Sequence, residues 1–194
     1  MKETWIVVLV VSLGFIGCGQ KATEKIVEKA IEKAGEQDGV DVDVDVDSDK
    51  GAMSMTVKDE KGQTHTMDMK TGKDGASITM TDEEGPASVT IGEAATIPED
   101  FPKDVPLYKE LELRMVQSMP GQQSYLVLAH SKDPVETIAG FYAKECEAQG
   151  WEEEMTVNQQ GSRMVLYKKG ERNLQVGVIP EEDGTAVNLT VSGS

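Results

Sequence analysis

The sequence predicts an α+β chain, and three features carry that expectation. Apolar and polar residues alternate strictly from Val40 to Asp47 and again in short runs as far as Ile91, and a period of two is that of half-buried strands. A long amphipathic helix pattern follows Asp133. No aromatic residue lies between Cys18 and Asp100, whereas Phe101, Tyr108, Tyr125, Phe141, Tyr142, Trp151 and Tyr167 all come later. Aromatic side chains dominate core burial, so the packed core is expected in the second half. The expected architecture is an apolar leader and a short amphipathic helix, then an acidic antiparallel β-meander of degenerate repeats. A two-layer domain of one helix on a mostly antiparallel sheet, in the order ββαββββ, completes it.

The leader is residues 1–17. Trp5 to Ile16 is an uncharged run of twelve residues, the length of a signal-peptide core, whereas a spanning helix needs roughly 20. Polar residues resume at once after Cys18. The segment Phe15-Ile16-Gly17-Cys18 resembles a bacterial lipobox, with Phe15 where most lipoboxes carry Leu. That resemblance implies cleavage after Gly17, a thioether-linked diacylglycerol on Cys18 and an acyl chain on its new amino group. Two or three buried chains hold a protein essentially permanently, each CH₂ adding about 0.8 kcal/mol. Gly19, in place of Asp, resembles the signal for release to the outer membrane of a Gram-negative cell. The implied address is an exported, lipid-anchored protein, facing the periplasm or the cell surface.

Residues 18–36 comprise the lipidated Cys and a tether helix. Ala22, Ile26, Val27, Ala30, Ile31 and Ala34 form one stripe, flanked by a row of lysines and a row of glutamates. Residues 37–92 form the acidic repeat region, with Gly-containing turns between the alternating runs. Its strands offer a thin Val/Met face that needs covering by the helix, by the next domain or by another copy. Asp41, Asp43, Asp45 and Asp47 line one face of the first strand. Their spacing of about 7 Å raises the possibility of Ca²⁺, while the plain alternative is a solvated, aggregation-deterring edge. They do not fit the EF-hand loop: Ser48 stands where Gly is required and Ser54 where Glu is required.

Residues 93–107 are a linker stiffened by Pro98, Pro102 and Pro106, expected as an ordered connection or a strap. Residues 108–194 read as the compact domain. Leu111, Leu113 and Met115 start one strand, and Tyr125, Val127 and Ala129 alternate in a second. The helix start is expected as N-cap Asp133, Pro134 at the first position and Glu136 at the third. Val135, Ile138, Ala139, Tyr142 and Cys146 share one face, and Gly150 closes the helix. Four strand-like runs follow, around Met155, Met164, Leu174 and Val187. With its Phe141-Tyr142 helix and Gln149-Gly150-Trp151 exit, this half resembles the small α+β domains of bacterial envelope lipoproteins, which implies a shape and no activity.

Charge excludes one class of partner. Residues 36–100 carry 17 acids against five lysines, a net of −12, and residues 101–194 net −5. Such a surface repels phosphate backbones, so nucleic acid is not expected. No nucleophile, zinc-protease, phosphate-loop or dinucleotide motif occurs, so an enzyme is not expected either. Cys146 reads as a small core residue, and His65 and His130 as surface residues. The expected role is a non-enzymatic binding or structural module of the bacterial envelope, held by its lipid and meeting an envelope protein partner of unknown identity. The alternative is a small-ligand or Ca²⁺-binding periplasmic module, with a pocket between Tyr142, Trp151 and the sheet. No cofactor beyond the covalent lipid is implied.

Overall fold

The computed structural model describes residues 25, 28, 29, 31, 41–59, 62–83 and 85–193. The leader, Gly17 and Cys18, and most of the tether helix lie outside the described residues. Eleven strands make one antiparallel sheet. They are β1 (Asp41–Asp47), β2 (Ala52–Lys58), β3 (Thr64–Gly72), β4 (Gly75–Asp82), β5 (Gly85–Gly92), β6 (Glu112–Met119), β7 (Ser124–Ser131), β8 (Glu152–Gln159), β9 (Ser162–Lys169), β10 (Arg172–Glu181) and β11 (Gly184–Ser192). One helix, α1 (Val135–Ala148), joins β7 to β8. Among the described residues no helix is long and apolar enough to cross a membrane.

From β1 to β7 each strand pairs with the next. Helix α1 then carries the chain to the far edge, where β8 begins. Strands β9, β10 and β11 return stepwise, and β11 closes on β7. The expected α+β class is therefore corrected: a single large antiparallel sheet runs from β1 to β11. The sheet is continuous because β5 pairs with β6, in the register Ser88↔Ser118, Thr90↔Val116 and Ile91↔Met115. An unpaired β5 edge would have left a row of free backbone groups, and β6 takes it. Among the described residues eleven strands stand against α1 and a few helical residues before β1, so the fold is all-β in character.

The main core lies on one face of β6–β11. Val187, Leu189 and Val191 of β11 and Leu174, Val176 and Val178 of β10 are buried there, beneath Ile138, Ala139, Tyr142 and Cys146 of α1. The helix starts one residue later than expected: Pro134, extended, is its N-cap and no side chain caps it. Its end is a Schellman motif: Trp151 N–H donates to Cys146 O (2.9 Å) and Gly150 N–H to Glu147 O (3.0 Å). Gly150 takes φ +81°, which glycine adopts without a Cβ penalty. The turn drives Trp151 into the core.

The proline-rich segment is a strap over the same core. Phe101 and Val105 are buried, and Phe101 meets Tyr125 edge-to-face at 5.4 Å. Trp151 Nε1–H donates to Asp104 O (2.7 Å), and the Asp104 carboxylate is clasped by Arg172 and Lys169. A smaller cluster of Val42, Val44 and Met55 lies on β1 and β2, and Ile31 packs against it. Glu28 Oε1 accepts the amide of Val46 at 3.0 Å, so helical residues before β1 cover this thin face. The other face of β8–β10 is open and leaves Met155, Val157, Met164 and Ile179 exposed.

Candidate functional site

Chemistry gathers at the end of the sheet where β6 begins, β7 ends and β10 turns into β11. Tyr125, Val127 and Ala129 of β7 point into the core, so the pleat sends Leu126, Leu128 and His130 to the opposite face. There His130 stands across from Glu112 of β6 and Ala186 of β11. Its side chain is only 5% exposed, so the expectation of a surface histidine fails here; His65, on β3, is exposed as expected. Neighbouring strands and the β10–β11 hairpin wall His130 in, although α1 covers the other face.

Three carboxylates approach the ring. Glu112 Oε2 lies 3.8 Å from Nδ1. Glu181 Oε2 and Asp183 Oδ1 lie 3.8 and 3.6 Å from Nε2. These separations exceed hydrogen-bond length, and Nε2 is buried with no hydrogen-bond partner. Donor atoms of His130, Glu181 and Asp183 all lie within 4.8 Å of one another. Arg114 Nη1 holds the same Glu181 at 3.1 Å. Gly184 keeps the space clear: a Cβ there would stand 2.8 Å from His130 Nε2 and 2.3 Å from Ser131 O.

Beside this cluster runs a groove of about 550 Å³, lined by Tyr108–Glu110, Glu112 and Ser131–Asp133. Its walls are tied across the sheet. Tyr108 donates its hydroxyl to Asp133 Oδ2, a bond that with burial raises the tyrosine's pKa. Asp133 thus serves the groove wall and not the helix cap. Thr185 Oγ1 donates to the Asp133 carbonyl at 2.7 Å, fastening the loop to β11. Lys109 and Lys132 line this space together with Glu110, Glu112 and Asp133, so it offers both charge signs.

The other expected sites are placed differently. Tyr142, on α1, and Trp151, just past its end, are 1% and 2% exposed and belong to the core between helix and sheet. Burial pushes the Tyr142 hydroxyl pKa up and the Cys146 thiol up to about 12, so neither ionises near neutrality. Asp41, Asp43 and Asp45 project from the exposed face of β1. Asp47 takes a 2.6 Å bond from Lys50. Among the described residues the Asp row does not gather donor atoms on one point, as the His130 group does. The lipidation and cleavage residues Cys18 and Gly17 fall outside the described residues.

A family model described as START domain-like matches residues 113–184, less than half of the chain. The stretch runs from β6 to the β10–β11 turn and contains His130, Glu181 and Asp183. No curated protein and no solved structure gives a significant match. Sequence reasoning missed Glu112, Glu181, Asp183 and Tyr108 as site residues. The available signals were His130 at the end of an alternating run and the Asp183-Gly184 turn. Nothing local says that these two ends meet.

Proposed function

We propose that this protein is a non-enzymatic envelope module that binds a small polar ligand in the groove between Tyr108–Glu112 and Ser131–Asp133. The observation that carries the reading is the START domain-like match over 113–184, which supports a small-ligand-binding role for that half. Ile138, Tyr142, Cys146 and Leu174 fill the space between helix and sheet to 1% exposure or less. A ligand therefore belongs at the rim. The groove's volume of about 550 Å³ falls within the range of about 300–1,000 Å³ usual for small-molecule sites. Its lining carries both charge signs, which favours a zwitterionic or polyhydroxylated ligand over an apolar one.

The tether belongs to the same proposal. The Phe15–Cys18 resemblance supports lipid attachment at Cys18, and the extended β1–β5 wing would stand the groove off from the bilayer. A thermal-shift screen of amino acids, sugars and small zwitterions tests the binding half: a true ligand raises the Tm with concentration by mass action. Lys132→Ala should abolish that shift without lowering the Tm of the free protein. Absence of a shift from every compound class contradicts the reading. Mass spectrometry of the native amino terminus tests the tether, which an unmodified Cys18 thiol would exclude.

A further inference from the structure

We propose that His130, Glu181 and Asp183 form a binding site for one first-row divalent metal ion of the Zn²⁺ type. The proposal uses the Nε2 side of the ring and does not depend on a ligand in the neighbouring groove. A buried imidazole nitrogen without a partner is costly unless something occupies it, and His130 Nε2 is such an atom. It is aimed at two carboxylates 3.6 and 3.8 Å away. Bonds of about 2.0–2.2 Å from one ion reach nitrogen and oxygen donors at nearly these separations, so small side-chain movements complete the set.

The surroundings agree with a metal and with this class of metal. On the other ring nitrogen, Glu112 lies 3.8 Å from Nδ1, the place of the carboxylate that commonly orients a ligating histidine and favours the tautomer with a free Nε2 lone pair. Arg114 Nη1 spans both oxygens of Glu181, at 3.2 Å from Oε1 and 3.1 Å from Oε2, and so fixes where that carboxylate stands. Gly184 leaves the approach to Nε2 unobstructed, where any Cβ would intrude. One imidazole with two carboxylates suits Zn²⁺ and its neighbours better than Ca²⁺ or Mg²⁺, which prefer all-oxygen shells. Asp183 is 84% exposed, so the fourth position opens to solvent, as in zinc sites that keep an exchangeable ligand.

Full-length protein in detergent micelles, stripped with chelator, should be titrated with ZnCl₂ by calorimetry while the histidine ring nitrogens are followed by ¹⁵N NMR. One equivalent should bind and shift the Nε2 resonance of His130, leaving that of His65 in place. Glu181→Gln and Asp183→Asn lie at the surface and preserve shape, and each should weaken binding about tenfold or more. His130→Gln changes a buried residue, so it is read only if its circular dichroism matches the parent. Absence of Zn²⁺ binding overturns the proposal. So does binding undiminished in both carboxylate variants, or binding lost instead on replacing Asp41, Asp43 and Asp45.

Discussion

Asp104 and Arg172, far apart in the chain, form a two-pronged ion pair: Arg172 Nη1 donates to Oδ2 at 2.9 Å and Nη2 to Oδ1 at 2.8 Å. Lys169 adds a third bond at 2.7 Å, and the guanidinium stacks 4.9 Å over the Trp151 ring. Strap, helix exit and two strands meet at this carboxylate. Bidentate geometry distinguishes it from ordinary surface pairs.

Removing that charge should loosen the strap. Asp104→Asn is expected to destabilise the fold by about 1–2 kcal/mol, a figure reduced for partial exposure. Urea denaturation of variant and parent measures it.

The same pair sets an acid limit. The Arg172 guanidinium holds the Asp104 carboxyl down to about 2 from its usual 3.8. The unfolded chain therefore binds this proton more readily than the folded one. The pair's contribution is fully present above pH 3.8 and is lost as pH falls towards about 2. Stability measured across that window should fall less steeply in Asp104→Asn than in the parent.

Core packing under α1 gives a larger effect. Ile138 is fully buried, so Ile138→Ala should cost about 2–5 kcal/mol through lost burial and the cavity left behind. Thermal unfolding checks this.

Cys146 should be inert in the native state. Its thiol is fully buried and raised to about 12, and only the thiolate reacts. Mass-mapped alkylation at pH 8 should leave it unmodified until denaturant is added.

Joining of the two halves is testable at a single strand pair. Backbone amides along Ser88–Ile91 and Met115–Ser118, the paired stretches of β5 and β6, should exchange slowly with solvent. Thr90→Pro, which places a ring in the ladder, should release both stretches together. Independent exchange of the two would mean separate domains.

Strands were readable where the pleat was regular. Val42, Val44 and Val46 against the intervening aspartates mark β1, and Gly170 and Gly184 mark hairpins, because these signals are local. Pairing of β5 with β6 was not readable, since it depends on where the Pro98–Pro106 strap lets the chain come back. His130 shows the same limit. Its neighbours in sequence describe a strand end, while Glu112 and Glu181 reach it from other strands and Asp183 from the β10–β11 turn. Asp133 looked like a helix cap from its spacing, and Tyr108 claimed it instead.

The proposed ligand site is the groove beside Tyr108. Amide chemical-shift mapping of the full-length chain with hits from the polar-compound screen addresses it most directly. Saturable shifts confined to residues 108–112 and 131–133 are expected. Shifts centred on the β1–β5 wing, or on the buried Tyr142 and Trp151, would contradict it.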